Sequence, residues 1–313
     1  MRFDVLKVLR VLEMRTVLRV RLLLVLMVLG LWPLEPAAQD VGPKRGTLVV
    51  VGGGTGLGEA GIWRRFLDLA GGGEAPIVVI PTAGDDDIYD QFWPGLRALR
   101  EAGAKKLTVL HTNDRKLADS EAFVKPIREA AGVWMPGGRH WRLADSYLDT
   151  RTHRELTALL DRGGVVGGSS AGATIQGSFM VRGDTKGNAL MVGDHVEGFG
   201  FLKGVTIDQH VLRRNRQFDL VDVVRARPEL LGIGIDENTA IVVRGDSFEV
   251  VGDSYVLIYD HTRRLDSGGE FYFLAPGDRY NLKTREAERP AQRSAPIERV
   301  VKEPWRKTSP STK

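Results

Sequence analysis

The chain has 313 residues, 42% of them hydrophobic and 27% charged, with 37 glycines and no cysteine. That balance excludes a disordered, collagenous or multi-span membrane protein, and the missing cysteine excludes a lipoprotein anchor, a disulfide framework, a thiol nucleophile and a thiolate metal site. The net charge of +4 comes from the ends: residues 1–38 hold six Lys/Arg and three Asp/Glu, residues 283–313 hold nine and four, and 39–282 is left with 29 basic against 33 acidic, so the body carries no nucleic-acid footprint.

Arg15, Arg19 and Arg21 precede the apolar run Leu22–Trp32, then Pro33 and the small pair Ala37-Ala38. This order reads as an export signal over residues 1–38 cut near Ala38, which places the protein in a periplasmic or extracellular space. Eleven apolar residues fall short of the about 20 that span a bilayer; an uncleaved anchor lengthened by neighbouring Val and Leu is the alternative, with the membrane as a partner. Met14 is a second candidate start, because it removes Asp4 and Glu13 from the leader.

From Thr47 the chain repeats a short apolar run, a Gly- or Asx-rich turn and a helix-like stretch. Leu48–Val51, Ile77–Ile80, Leu107–Leu110, Val133–Met135 and Val165–Val166 read as strands, with helices near 61–70, 90–102, 121–130, 142–161 and 171–178. Such alternation predicts an α/β fold, a mostly parallel sheet covered on both faces. After about 180 closely spaced strands follow, Val205–Ile207, Gly232–Ile235, Ala240–Val243, Phe248–Val251, Tyr255–Ile258 and Phe271–Leu274, broken by one helix at about 212–226. They are expected to complete the sheet and add an antiparallel ribbon. We read one domain over 39–282 and a basic, flexible tail over 283–313.

The segment Gly163-Gly-Val-Val-Gly-Gly-Ser-Ser-Ala-Gly-Ala173 contains Gly168-x-Ser170-x-Gly172 between a strand and a helix. This is a nucleophile-elbow context, in which the glycines allow a cramped turn and the spacing selects Ser170 over Ser169. A glycine-rich turn with a capping serine is the plainer alternative. A serine nucleophile needs a base, and His is the usual one. Of six histidines, His210 ends a strand and is favoured, with His140 and His261 as rivals; the orienting carboxylate is Glu237 or Asp236, after Gly232–Ile235.

Ser170 in its Gly-Gly-Ser-Ser-Ala-Gly-Ala setting, Val205-Thr-Ile-Asp-Gln-His210 and Leu231-Gly-Ile-Gly-Ile-Asp-Glu-Asn-Thr-Ala240 together resemble the cyanophycinase-type serine peptidases of the dipeptidase E group, over about Thr47–Asp260. The resemblance implies a three-layer flavodoxin-like fold, similar to class I glutamine amidotransferases. It also implies a serine exopeptidase acting on peptides or isopeptides of aspartyl character, without metal or organic cofactor, and a homodimer. Position by position it implies Ser170 as nucleophile, His210 as base and Glu237 as the acid that orients it. The N–H groups of Gly138 and Ala171 match the oxyanion hole, and Asp208, Gln209, Arg214 and Arg216 match substrate-facing positions. Two departures touch the substrate. Gly137-Gly-Arg-His140 stands where cyanophycin-cleaving relatives carry Gly-Gly-Asp-Gln, which puts His140 in the place of a substrate-gripping Gln, and Asp219 stands where the family has Arg.

Other motifs give rival readings. Gly56-x-Gly58-x-x-Gly61 has the form of a dinucleotide fingerprint but no clean acidic residue ends the next strand, and a Gly-rich turn beside the peptidase site is favoured. Asp85-Asp86-Asp87 reads as a solvated helix start rather than a cation site. Arg213-Arg214-Asn215-Arg216 reads either as a carboxylate-binding group or as an exposed basic helix. A conventional α/β-hydrolase esterase would use Ser170, Asp236 and His261 in chain order; a catalytically silent binding protein on the same fold is the third reading.

Overall fold

The computed structural model of the chain describes residues 40–54, 61–263 and 269–289, all within the unit Asp40–Lys313. The expected leader lies outside the described residues, and among these no helix is long and apolar enough to cross a membrane.

Five parallel strands form the centre: β1 (Thr47–Val51), β2 (Pro76–Val79), β3 (Lys106–Val109), β4 (Gly132–Met135) and β5 (Val165–Ser169), in the order β1-β5-β4-β2-β3. β1 and β5 are buried along their whole length, as unbroken apolar runs must be when both faces of a parallel sheet are covered. On one face α1 (Ile62–Leu69), a 3₁₀ turn at Pro94–Leu96 and α2 (Arg97–Glu101) bury Ile62, Phe66, Leu96 and Leu99 against Val49, Ile77 and Trp134. On the other, α3 (Arg115–Ala118), α4 (Glu121–Glu129), α5 (His140–Tyr147), α6 (Arg151–Asp161) and the single turn α7 (Ala171–Thr174) pack Val124, Leu143 and Leu159 against Val78, Val133 and Val166. The helix expected over 142–161 is therefore two, parted at Asp149, whose φ is 62°.

The later strands divide between two sheets. β6 (Gly177–Phe179), β7 (Leu202–Gln209) and β8 (Leu231–Ile235) are parallel and β11 (Val256–Asp260) and β12 (Tyr272–Leu274) antiparallel in a second sheet ordered β12-β11-β8-β7-β6. Val205, Ile207, Ile233 and Ile258 join the core of the main sheet, while α8 (Asp219–Ala226) covers the other side with Leu220 and Val224 against Leu257 and Tyr259. β9 (Thr239–Arg244), β10 (Ser247–Gly252), β13 (Arg279–Asn281) and β14 (Glu286–Glu288) extend the main sheet beyond β1 as an antiparallel ribbon, giving nine strands among the described residues. The expected α/β architecture with added antiparallel strands is present; the correction is that β7 and β8 build a sheet of their own.

The boundary at 283 also needs correction. Arg279 pairs with Glu288 and Tyr280 with Ala287, so the ordered sheet continues to at least 288, carried by backbone pairing on a polar edge where no apolar period marks it. The helix predicted from 212 begins only at Asp219, because 211–216 turns back on itself, with Asn215 at φ 56°.

Candidate active site

β5 gives way at Ser169 to Ser170, whose φ of 53° and ψ of −109° lie outside the regions open to most L-residues. The surroundings hold this strained turn. Ser170 N–H donates to Val51 O at 2.9 Å, and the Ser170 carbonyl accepts from Ala173 and Thr174 N–H, each at 3.0 Å. Gly172 is required by the neighbouring strand, since a β-carbon there would stand 1.9 Å from Met135 O. The motif thus has a steric cause, and it lifts Ser170 clear of β5 while Ser169 stays buried within it.

His210 and Glu237 arrive from the second sheet, at the ends of β7 and β8. His210 takes φ 55° and its N–H donates to Gly52 O at 3.0 Å. Its Nδ1 lies 2.6 Å from Glu237 Oε1 and its Nε2 2.9 Å from Ser170 Oγ. Only the Nδ1–H tautomer satisfies both contacts while the carboxylate is ionised: Nδ1–H donates to Glu237 and Nε2 accepts from the serine hydroxyl. Burial, helped by the Arg214 and Arg216 charges, holds the imidazole below its ordinary value against the pull of Glu237, which leaves it neutral near pH 7.

Gly53 and Gly54 make room for this pair. A β-carbon at Gly53 would stand 2.2 Å from His210 Cε1, and one at Gly54 would stand 2.8 Å from Glu237 Oε2. The glycines after β1 therefore serve the site, as the turn reading expected, while Gly56 and Gly58 lie outside the described residues. On the other side of Ser170, a β-carbon on Gly137 would be 3.2 Å from its Cβ. Gly138 follows with φ 141°. Among the described residues neither Gly138 N–H nor Ala171 N–H donates to a main-chain carbonyl in a turn or loop.

Several predicted residues have other work. His140 is a correction: it is 3% exposed, its Nε2–H donates to Val181 O at 2.9 Å, and burial holds its pKa down to about 4. The ring is thus tied to the segment after β6 and is not exposed to a substrate. Asp208 is a second correction, fully buried with both carboxylate oxygens on Arg182, at 2.9 and 3.0 Å. Gln209 is also buried, and its Oε1 accepts from Arg216 Nη1 at 3.2 Å. Arg214 is exposed and Arg216 has a side chain 11% exposed; both lie on the turn after His210, and the basic-helix reading of 213–216 fails there.

The esterase constellation does not assemble. Asp236 accepts from Leu212 N–H at 3.0 Å, Arg213 N–H at 2.8 Å and Ser254 Oγ at 2.7 Å, so it ties down the loop after His210. His261 follows Asp260, which pairs with Leu231 at the start of β8, whereas Val256 pairs with Ile235 at its end. Four residues of strand, roughly 13 Å, separate His261 from the end that carries Glu237. In the acidic run, Asp85 pairs with Arg142, and no group of metal-binding side chains forms among the described residues. Arg182, which grips buried Asp208 with Nε and Nη2, is a residue that no sequence signal exposed.

A strained serine at a strand end, relayed through histidine to a carboxylate, is the arrangement of a serine-type hydrolase. The chain belongs, more particularly, to peptidase family S51, whose model matches residues 48–251. It is 33% identical over 264 residues to the cyanophycinase of Geminocystis herdmanii, covering 77% of this chain and 96% of that one. It is 32% identical over 264 residues to the cyanophycinase of a Nostoc species, covering 77% and 87%. A solved structure of a peptidase from an acI-B1 Actinobacterium matches with a TM-score of 0.59 at 27% identity, over 77% of this chain and 98% of that one. The protein is a serine-type peptidase.

Proposed function

We propose that this peptidase is an exported, cyanophycinase-like exopeptidase that hydrolyses peptide bonds of aspartyl residues, α- or β-linked, through Ser170, His210 and Glu237. The observation that carries the catalytic assignment is the relay itself, 2.9 Å from serine to imidazole and 2.6 Å from imidazole to carboxylate. His210 Nε2 takes the Ser170 proton as Oγ attacks the substrate carbonyl, and the N–H groups of Gly138 and Ala171 hold the resulting oxyanion. Imidazolium then gives its proton to the leaving amine as the C–N bond breaks. Water, deprotonated in turn by His210, cleaves the acyl-enzyme ester and restores the serine. Glu237 keeps the tautomer and stabilises the imidazolium; side chains and water suffice.

The aspartyl preference rests on the cyanophycinase relatives and on the cations at the site mouth. Arg214 is exposed on the turn after His210 and Arg216 stands beside it, and forked guanidinium donors suit a carboxylate. Export rests on the basic, apolar and small-residue order of residues 15–38. The test is amino-group release from β-Asp-Arg polymer, isoaspartyl dipeptides, N-terminal α-Asp peptides and a p-nitrophenyl ester. Wild type is compared with Ser170→Ala, His210→Ala and His261→Ala. Aspartyl cleavage lost in the first two and kept in the third is expected; ester cleavage alone, or no Ser170-dependent turnover, would overturn the reading.

A further inference from the structure

Asp208 lies two residues before the base and is fully buried. A buried carboxylate without a cation is costly, and one held by a fork is fixed in place. Here the fork is Arg182, from the segment that follows β6: Nε meets Oδ1 at 2.9 Å and Nη2 meets Oδ2 at 3.0 Å. The same guanidinium reaches Asn188 O at 3.0 Å and pairs with Asp219 at the start of α8. Arg182 is itself buried and at φ 60°, a strained setting for a non-glycine residue. In turn Asp208 Oδ1 accepts from Gln209 N–H at 2.9 Å, which fixes the peptide leading into His210.

Arg216 competes for that carboxylate. Its Nη1 is 3.9 Å from Asp208 Oδ1, beyond hydrogen-bond reach, and bonds the Gln209 carbonyl at 3.3 Å and Gln209 Oε1 at 3.2 Å. Because Arg182 occupies both Asp208 oxygens, Arg216 is kept off them. Among the described residues the side-chain hydrogen bonds of Arg216 run through Nη1.

We propose that Arg182 is a positioning residue of this site, which saturates Asp208 so that the end of β7 presents His210 in its working orientation and Arg216 stays available to the substrate. This rests on the reading of His210 as the base. The charges around that imidazole are Glu237 on Nδ1, Arg213 beside Glu237, Arg214 and Arg216 on the following turn, and Asp208 on the preceding strand; Ser170 and the Gly53-Gly54 backbone add none. Removing the Arg182 charge unmasks Asp208, and the unmasked anion favours imidazolium.

The experiment follows His210 by ring NMR titration, with His210→Ala to identify its signal, and measures kcat/KM on the aspartyl panel. Wild type is compared with Arg182→Met, Arg182→Lys and the double variant Arg182→Met/Asp208→Asn. Arg182→Met is expected to raise the His210 midpoint and to lower kcat/KM by about 100-fold, the scale of a displaced catalytic group. Arg182→Lys, charged but unable to grip both oxygens, should keep the midpoint near wild type and still raise KM. The double variant removes the uncompensated charge and should reverse most of both changes. An unmoved midpoint in Arg182→Met, or no recovery in the double variant, overturns the proposal. The titration reads the midpoint whether or not the panel contains a substrate, so a wild type inactive on every member would count against the functional reading alone.

Discussion

The His210 ring occupies the space in which a side chain on Gly53 would begin, with Cε1 2.2 Å from that β-carbon position. Gly53 also takes φ 128°, a conformation that L side chains rarely adopt. Gly53→Ala is therefore expected to push the imidazole off Ser170 and reduce kcat/KM by about 100-fold or more, with some loss of stability from backbone strain. Kinetics on a cleaved aspartyl peptide, with a thermal melt as control, checks this; wild-type kcat/KM would show that the ring has another place to sit.

Glu237→Gln keeps the shape of the carboxylate and removes its charge. Donation from an amide to Nδ1 would select the wrong tautomer, leaving Nε2 protonated toward Ser170. A fall in kcat of about 10⁴-fold is the scale for such a change, with far-UV circular dichroism unchanged. A fall below tenfold would remove Glu237 from the relay.

As the proposed base, His210 works only when neutral, and burial together with Arg214 and Arg216 lowers its pKa. The acid limb of the kcat/KM profile should accordingly lie below pH 6.5, with activity rising as pH climbs through the lowered value. Arg214→Ala removes one opposing charge, so the imidazolium persists to higher pH and the limb moves up. An acid limb above 6.5 in the wild type would contradict this account.

His140 makes the fold, separately from catalysis, sensitive to acid. Its ring titrates near 6.5 when unfolded and at about 4 when buried against Val181 O. Between those values the unfolded chain binds a proton that the folded chain refuses, so stability declines as pH falls from about 6.5 to about 4, by about 3 kcal/mol. His140→Gln retains a donor for Val181 O and should flatten this dependence. Urea unfolding at pH 7 and pH 4.5 measures it, and equal losses in wild type and variant would exclude His140 as the source.

The glycines around Ser170, and the polar residues that close apolar strands at His210 and at Asp236-Glu237, are local signals that the sequence carries openly. The two-sheet division is not among them, since the apolar runs of β7 and β8 look the same whichever sheet they join. Matching His140 to a substrate-contacting position of the family says nothing about which way its ring faces, and the answer lies 41 residues away at Val181. Asp208 hides its role for the same reason, its partner Arg182 being 26 residues upstream with no motif of its own. Asp236 and Glu237 are adjacent and chemically alike, and residue type alone left both open as the orienting acid; only the fold separates the one that ties down a loop from the one that holds the imidazole.

The chain leaves the second sheet at Ile235 and enters the main sheet at Thr239, so Glu237 sits on the crossing. Ser170 follows a strand of one sheet, His210 and Glu237 follow strands of the other, and Gly52 and Gly53 are the seam: Gly52 O receives His210 N–H, and Gly53 O receives Asn238 N–H at 2.9 Å. The enzyme's active form is in this sense an internal assembly product. If β7, β8, β11 and β12 detach as one cooperative unit, the molecule is switched off while the parallel core is still folded, and turnover becomes a reporter of docking at that seam, responding to heat or denaturant before the bulk secondary structure does.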